Sequence, residues 1–575
     1  DWQRGARMSR RVMHAVAVRW LPWLALLVIL GGYGRIISEH FTPGSREVDS
    51  DGYLWLAERF ALGLPAGDPA DDPFAYHSHV WVDARDGAVI PKYPPGYPLL
   101  MALAWRVVGP VGPYLVSPAC GLLALVGAWL LFQLWMPRPL AVCAVAVLAF
   151  GNMYLIYTNY VLAHAASLCV VTWGMYCLWR WVRRPRAGWA VGAGGLLAFA
   201  VTIRSSSALL AVAVAVAGLG VLARPASAYP EFPERRRRLG SALILGAVYG
   251  LVIAGYAAYN WRWYGHPLTT GYAFSEEQSA FALAGLSAQL ERLLKGFIES
   301  MPTLAVSLGI LGLIACRTHT ERLMRLAWAV PFAVLYAAYY WTQHNHGMGV
   351  QRFLLVALPV VIGSGFSLLG NLRLHLFNRF VLAALVAWLS LSPQWRARAM
   401  QMRQVVHPPG LQLAVLTAEM AEPELADGTV VFAQHVALHA IGFGRRMRVY
   451  QWDELDAPRL AARLGPQRPG APRQQPDRRE RLRETLLGLE ADPVALRRRL
   501  IVDHLEAGRP VAVIAPVHRM RWLQRELGPG FEVERLRTWR LEEVRPERWD
   551  GRRGTRGLRG EWGVYAIRAS AAEGG

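Results

Sequence analysis

Two carboxylates and one lysine are the first groups in this sequence that could do chemistry. Asp49 and Asp51 lie in Glu47-Val48-Asp49-Ser50-Asp51-Gly52-Tyr53, just beyond the first long apolar stretch. Acids beside a bilayer are costly unless solvated, paired or used. Used, they supply a general base or bind a divalent cation such as Mg or Mn. Solvated, they are ordinary loop acids or a helix N-cap accepting backbone N–H bonds. Lys92 sits in Pro91-Lys92-Tyr93-Pro94-Pro95-Gly96-Tyr97-Pro98, and of 62 basic residues only Lys92 and Lys295 are lysines. A compact ammonium held among prolines suits a phosphate; an interfacial lysine can also simply snorkel.

Further polar residues interrupt apolar surroundings. Arg204 follows Val201-Thr202-Ile203. At that depth an arginine costs about 2.5–3.5 kcal/mol on insertion scales, so it must face a polar cavity or a break between helices. There it binds a substrate phosphate or forms a structural ion pair. His344 and His346 precede Arg352. They fit phosphate, sugar or metal binding, and equally plain interfacial polarity. Tyr272, Glu276 and Glu277 are candidates for acceptor contact; Asn159 and His164, which flank an outer turn, are lower-ranked candidates that fit plain helix caps equally. His435 and His439 have metal-like spacing but no visible third ligand, so they read as surface residues.

The elements that must position these groups are membrane helices. The 575 residues are 54% hydrophobic and 18% charged, with a net charge of +21. Mean hydropathy is +0.22. Soluble domains carry about 25% charged residues. The apolar residues come in blocks separated by arginine-rich joints, which excludes a single soluble domain and a disordered chain. The positive charge then belongs to helix joints and membrane lipid rather than to a nucleic acid. Spans are expected near 21–38, 114–134, 139–156, 161–181, 187–203, 206–223, 239–260, 302–316, 326–341, 353–371 and 379–393. That makes about eleven at the usual length per span. The first follows a basic segment and lacks a small-residue cleavage site, as a retained signal anchor does.

Arginines at 180–186, 235–238, 317–325 and 373–379 mark cytoplasmic joints, with the N-terminus inside. They agree only if 95–108 does not span but lies at the outer interface. The predicted catalytic unit is therefore 1–393, with a large first outer loop at 39–113. Residues 394–575 turn Arg-, Pro- and Glu-rich and alternate strand with helix, predicting a soluble extracytoplasmic α/β domain. Its strands are expected at 430–433, 510–515, 531–541 and 563–567, its helices at 493–507 and 519–527, and a mobile loop at 464–481. The arginine excess of this domain fits an anionic partner or a GC-rich coding sequence. All five cysteines fall in or at the end of apolar runs, as small buried hydrophobes do.

An acid just after the first helix, four residues before Tyr53, followed by Lys92-Tyr93-Pro94-Pro95-Gly96-Tyr97-Pro98-Leu99-Leu100, resembles the bacterial GT-C glycosyltransferases. It looks most like the family 39 group, which includes protein O-mannosyltransferases and the aminoarabinose transferase of lipid A. Tyr259-Asn260, Gly265 to Tyr272, and Gln351-Arg352-Phe353-Leu354-Leu355 with Pro359 add to the likeness, which covers about residues 20–393. The resemblance implies a mainly α, polytopic GT-C bundle in a bacterial inner membrane. It implies transfer of a sugar from a polyprenyl-phosphate carrier to a lipid, glycan or protein acceptor on the outer face, with inversion. Asp49 takes the position of the family's catalytic acid, with Tyr53 in register. The family's next residue is usually Glu; here it is Ser50, and Asp51 is the candidate for the displaced second carboxylate. Lys92, then Arg352 and Arg204, are the candidates for donor phosphate. Tyr53, Tyr93, Tyr272, His344 and His346 are those for substrate contact. The rival readings are a lipid or sugar transporter and a non-catalytic envelope scaffold. The sequence shows no paired inverted halves of the kind transporters carry.

Overall fold

The computed structural model describes residues 2–41, 43–44, 48–68, 80–229, 231, 234–274, 281, 286–316, 318–339, 351–401, 420–433, 447–451, 486, 494–540 and 561–570. Helix α1 (Trp2–Glu39) leads into α2 (Val48–Ala61), a hairpin of β1 (Trp81–Asp83) and β2 (Val89–Pro91), and α3 (Gly96–Val108). The bundle continues with α4 (Gly112–Phe132), α5 (Arg138–Phe150), α6 (Asn152–Tyr157), α7 (Ala163–Arg183), α8 (Ala187–Ile203), α9 (Ala211–Ala223) and α10 (Arg235–Tyr264). Then come α11 (Gly271–Phe274), α12 (Leu286–Ser300), α13 (Thr303–Ile314), α14 (His319–Ala337), α15 (Leu358–Gly370) and α16 (Leu376–Gln401).

Each segment expected to span overlaps a helix, with 340–341 outside the described residues. Among the described residues, against the eleven spans expected, six helical stretches are long and apolar enough to cross a membrane: Trp20–Glu39, Gly112–Phe132, Ser205–Ala223, Arg235–Tyr264, Arg352–Gly370 and Leu376–Trp395. Their outer faces carry exposed Leu24, Leu27, Val28, Leu243, Leu251, Leu385 and Trp388. So much apolar surface facing outward is at home in hydrocarbon, and the chain is built as a multi-pass membrane protein. Inside, Trp129, Trp179, Trp181, Trp328 and Phe132 are fully buried. α13 and α15 pack backbone to backbone: a Cβ on Gly312 would lie 2.2 Å from the Ser364 carbonyl oxygen. Small residues at helix contacts allow this approach.

Three expected spans are not uniform helices. The 139–156 segment breaks at Gly151, whose backbone is extended (φ −68°, ψ 132°), and Gln394 accepts from the Asn152 N–H at 2.9 Å. The 206–223 segment opens with a tighter 3-10 turn over Ser205–Leu210. So does 353–371, over Arg352–Ala357, just before Pro359. Serines compete for backbone bonds, and proline is comfortable only in a helix's first turn.

α3 is a separate helix of 13 residues. Leu99, Leu103 and Val107 form an exposed stripe on it, while Tyr97, Met101 and Ala102 face inward. Four-residue spacing puts the stripe on one face, as the interfacial reading requires.

Toward the C-terminus come β3 (Val430–Ala433), β4 (Arg448–Gln451), α17 (Ala495–Glu506), β5 (Val511–Pro516), α18 (Met520–Leu527), β6 (Phe531–Arg540) and β7 (Glu561–Ala569). All but β4 coincide with an expected element, and the expected loop at 464–481 lies outside the described residues. The sheet order is β4-β3-β5-β7-β6. β3 pairs parallel to β4 and β5, and β7 antiparallel to β5 and β6. Alternate residues of β3 feed opposite faces: Val430 and Phe432 pack with Leu500 and Leu523, Val431 and Ala433 with Trp539 and Trp562. Arg448 on β4 reaches Asp68 of the first loop region at 3.8 Å.

Candidate functional site

The chemistry-bearing residues gather at one end of the bundle. Asp49 stands in the first turn of α2, and its carboxylate is 30% exposed. Tyr93 donates its O–H to Asp49 Oδ1 at 2.7 Å, and Arg352 Nη2 lies 3.9 Å from Oδ2. The latter is the outer limit of contact, so the guanidinium is not committed to Asp49. Gly52 makes the tyrosine's reach possible. A Cβ there would meet Val80 at 2.5 Å and the Tyr93 ring at 2.8 Å.

Tyr93 is fixed on several sides. It stacks on Tyr53 at 4.2 Å and meets Tyr272 edge-on at 6.2 Å. Tyr53 is buried and also packs edge-on against Tyr97 at 5.1 Å. Burial, and then the Asp49 charge, hold the Tyr93 phenol well above its ordinary range. It therefore remains a hydrogen-bond donor throughout neutral pH.

Lys92 follows β2 directly, and its N–H donates to the Val80 carbonyl at 2.9 Å. The side chain is only 3% exposed, with Nζ 5.6 Å from the Tyr93 ring centre and 6.0 Å from that of Tyr272. Aromatic faces are favourable neighbours for an ammonium. Gly271 presses on the same strap: a Cβ on it would sit 2.4 Å from Lys92 Cα.

Arg204 occupies the break between α8 and the 3-10 turn. Its Nη1 lies 3.0 Å from His164 Nδ1 and 3.2 Å from Nε2, and its Nη2 donates to the Tyr336 O–H oxygen at 3.0 Å. Tyr336 in turn donates to Ser206 at 2.9 Å. Arg352 stands over the Phe353 ring at 5.2 Å, and its buried Nε has no hydrogen-bond partner among the described residues. Phe353 also faces Arg204 (5.5 Å) and the His164 ring (5.8 Å). Tyr53 is within electrostatic reach of Arg204, Asp49 and Arg352 together.

The structure thus brings Asp49, Tyr53, Lys92, Tyr93, Arg204, Tyr272 and Arg352 into one neighbourhood. Asp51 points elsewhere. Two residues along a helix turn the side chain by about 200°. Asp51 is buried on the side where Tyr114 and Glu58 lie. His344, His346, Glu276, Glu277, His435 and His439 lie outside the described residues. Among the described residues, no three His, Cys, Asp or Glu side chains gather to hold a metal ion.

Tyr336 was not legible as part of this site, and His164 only as a residue at an outer turn that also fits a helix cap. His164 does not cap α7, whose N-cap, Leu162, makes no side-chain bond. Asn159 instead donates to the His40 carbonyl at 2.8 Å. No local spacing signals either contact of Arg204.

No protein-family model matches the chain, and no curated protein does. Solved structures do. ArnT from Cupriavidus metallidurans, bound to undecaprenyl phosphate, aligns with a TM-score of 0.53 at 13% identity, over 95% of this chain and 98% of that one. Looser similarity is found to mycobacterial arabinofuranosyltransferase AftD (TM-score 0.48, 13% identity, 95% of this chain, 42% of that one). The Archaeoglobus fulgidus oligosaccharyltransferase is looser still (0.44, 13%, 87% and 70%). The end-to-end likeness to the first shows that the chain has the fold of the GT-C membrane glycosyltransferases.

Proposed function

We propose that this protein is a membrane glycosyltransferase that takes a sugar from a polyprenyl-phosphate donor and passes it to an acceptor hydroxyl or similar group. The observation that carries this reading is Asp49. It is a partly open carboxylate held by Tyr93, with Arg352 beside it and Lys92 and Arg204 in the same neighbourhood, on a GT-C fold. ArnT, one of the solved structures that share this fold, was determined bound to undecaprenyl phosphate.

The roles follow from the bonds that change. In the donor, the anomeric carbon is bonded to a phosphate oxygen. When that bond breaks, its electron pair stays on the phosphate, which needs cations rather than a proton. Lys92, Arg352 and Arg204 supply them. The acceptor hydroxyl forms the new bond and loses its proton to Asp49, a general base within reach of solvent-side substrates. The Tyr93 O–H donates to Oδ1 and fixes the orientation of the carboxylate. Single displacement inverts the anomeric carbon. The positive-inside rule puts the site on the extracytoplasmic face, with the N-terminus in the cytoplasm. It also places residues 394–575, as a second unit, on the same side as the site.

The test is release of polyprenyl phosphate from a panel of polyprenyl-phosphate sugars by purified protein in lipid. Release by wild type that disappears in Asp49→Asn supports the reading, and the active donor names the sugar. No release from any donor, with acceptors and with or without Mg or Mn, overturns it in favour of a transporter or scaffold.

A further inference from the structure

His164 joins three parts of the site that are far apart in sequence. Its ring, 6% exposed, lies between Tyr157 (5.7 Å) and Phe353 (5.8 Å). One edge faces Arg204 Nη1 with both ring nitrogens, and the ring packs on Phe353, the neighbour of Arg352 in the chain. A guanidinium offers only N–H groups, so the nitrogen facing Arg204 must accept. An imidazole accepts only when it is neutral. Through one ring, the α8 break and the turn that begins at Arg352 are fixed to the start of α7.

We propose that His164 is a positioning residue of the anion site, a neutral imidazole that sets the spacing of Arg204 and Arg352 so that both guanidinium groups converge on one phosphate. This rests on the polyprenyl-phosphate reading above. Tyr336 holds the other side of Arg204, so among the described residues the guanidinium is oriented by two acceptors, and neither is a carboxylate. A carboxylate there would neutralise the charge that the phosphate needs. Uncharged acceptors orient the arginine and leave its charge available.

The test is equilibrium binding of undecaprenyl phosphate to the full-length protein in detergent, with folding checked by thermal unfolding. His164→Phe fills the space between Tyr157 and Phe353 but offers no acceptor. It should weaken binding about tenfold to a hundredfold, the loss of one hydrogen bond to a charged group. His164→Gln restores an acceptor and a donor and should recover most of the affinity. In turnover, the Phe variant should raise the donor KM far more than it lowers kcat. Unchanged binding by folded His164→Phe, or His164→Gln as weak as His164→Phe, overturns the assignment. Tyr336→Phe removes only the second acceptor and tests the same geometry without touching α7; unchanged binding there also counts against it. If wild type itself fails to bind undecaprenyl phosphate, the polyprenyl-phosphate reading falls and this one with it. Binding by wild type with no effect of the variants overturns this one alone.

Discussion

The two ends of the helix bundle both bury arginines, and they treat them differently. At the end away from Asp49, guanidinium groups close helices. Arg238 donates to the carbonyls of Val221 and Arg224 at the end of α9, at 3.2 and 2.7 Å. Arg379 donates to Gly370 at the end of α15 at 2.7 Å, and Arg183 to Leu134 just past α4. Helix C-termini expose unpaired carbonyls and a partial negative charge, so these contacts are ordinary caps. Arg325 is packed over the Trp135 ring at 4.4 Å, with Ser364 and Ser367 as acceptors. At the Asp49 end, Arg204 and Arg352 cap no helix in this way. Among the described residues their side-chain partners are an imidazole, a phenol, aromatic faces and one distant carboxylate. A cation kept off backbone carbonyls and off close acids retains its charge for something else. The contrast separates structural arginines from those proposed to serve a substrate.

Substitutions at the two ends can break or sharpen that contrast. Asp49→Asn has the largest expected effect, a loss of about 10²–10⁴ in kcat with little change in thermal stability. Equal activity of the two proteins would sink the base assignment. Lys92→Met keeps the apolar stem against Tyr93 and Tyr272 while deleting the charge. It should lower kcat/KM for the donor about a hundredfold. Asp51→Asn should fall well short of Asp49→Asn in the same assay, because the helix turns Asp51 away. A loss as large as that of Asp49→Asn would mean the two acids act together. Arg379→Leu is the smallest. It should destabilise the protein by about 0.5–2 kcal/mol through a lost cap, and leave the specific activity of folded protein intact. If it instead abolished turnover at unchanged stability, the division between the ends would fail.

Much of this molecule was legible because its helices are written as apolar runs. Four strands of the C-terminal sheet fell where β-rich runs predicted them, whereas β4 (Arg448–Gln451) had no such signal. Asp49, Tyr53, Lys92 and Tyr93 were legible for a different reason. They sit in short motifs whose local spacing survives in the fold. Asp51 looked like a partner of Asp49 only while 47–53 was read as loop; a helix beginning at Val48 separates the two. The breaks at Gly151, Ser205 and Arg352 were hidden because hydropathy does not distinguish a continuous span from a kinked one. The Arg204 cluster was invisible in detail. Its partners lie 40 and 132 residues away, and such pairings are decided by packing between helices.

One consequence follows from the chain between Lys92 and α3. Only Tyr93, Pro94 and Pro95 separate the lysine from the first residue of a helix whose stripe of Leu99, Leu103 and Val107 faces outward. Prolines fix φ, so this connection transmits position rather than absorbing it. On the proposed reading, the level at which α3 settles in the lipid sets the height of the ammonium above the hydrocarbon. A carrier lipid brings its phosphate to a height set by that same boundary. Donor and protein are therefore gauged against one reference plane, and the thickness of the surrounding bilayer becomes part of the fit between them.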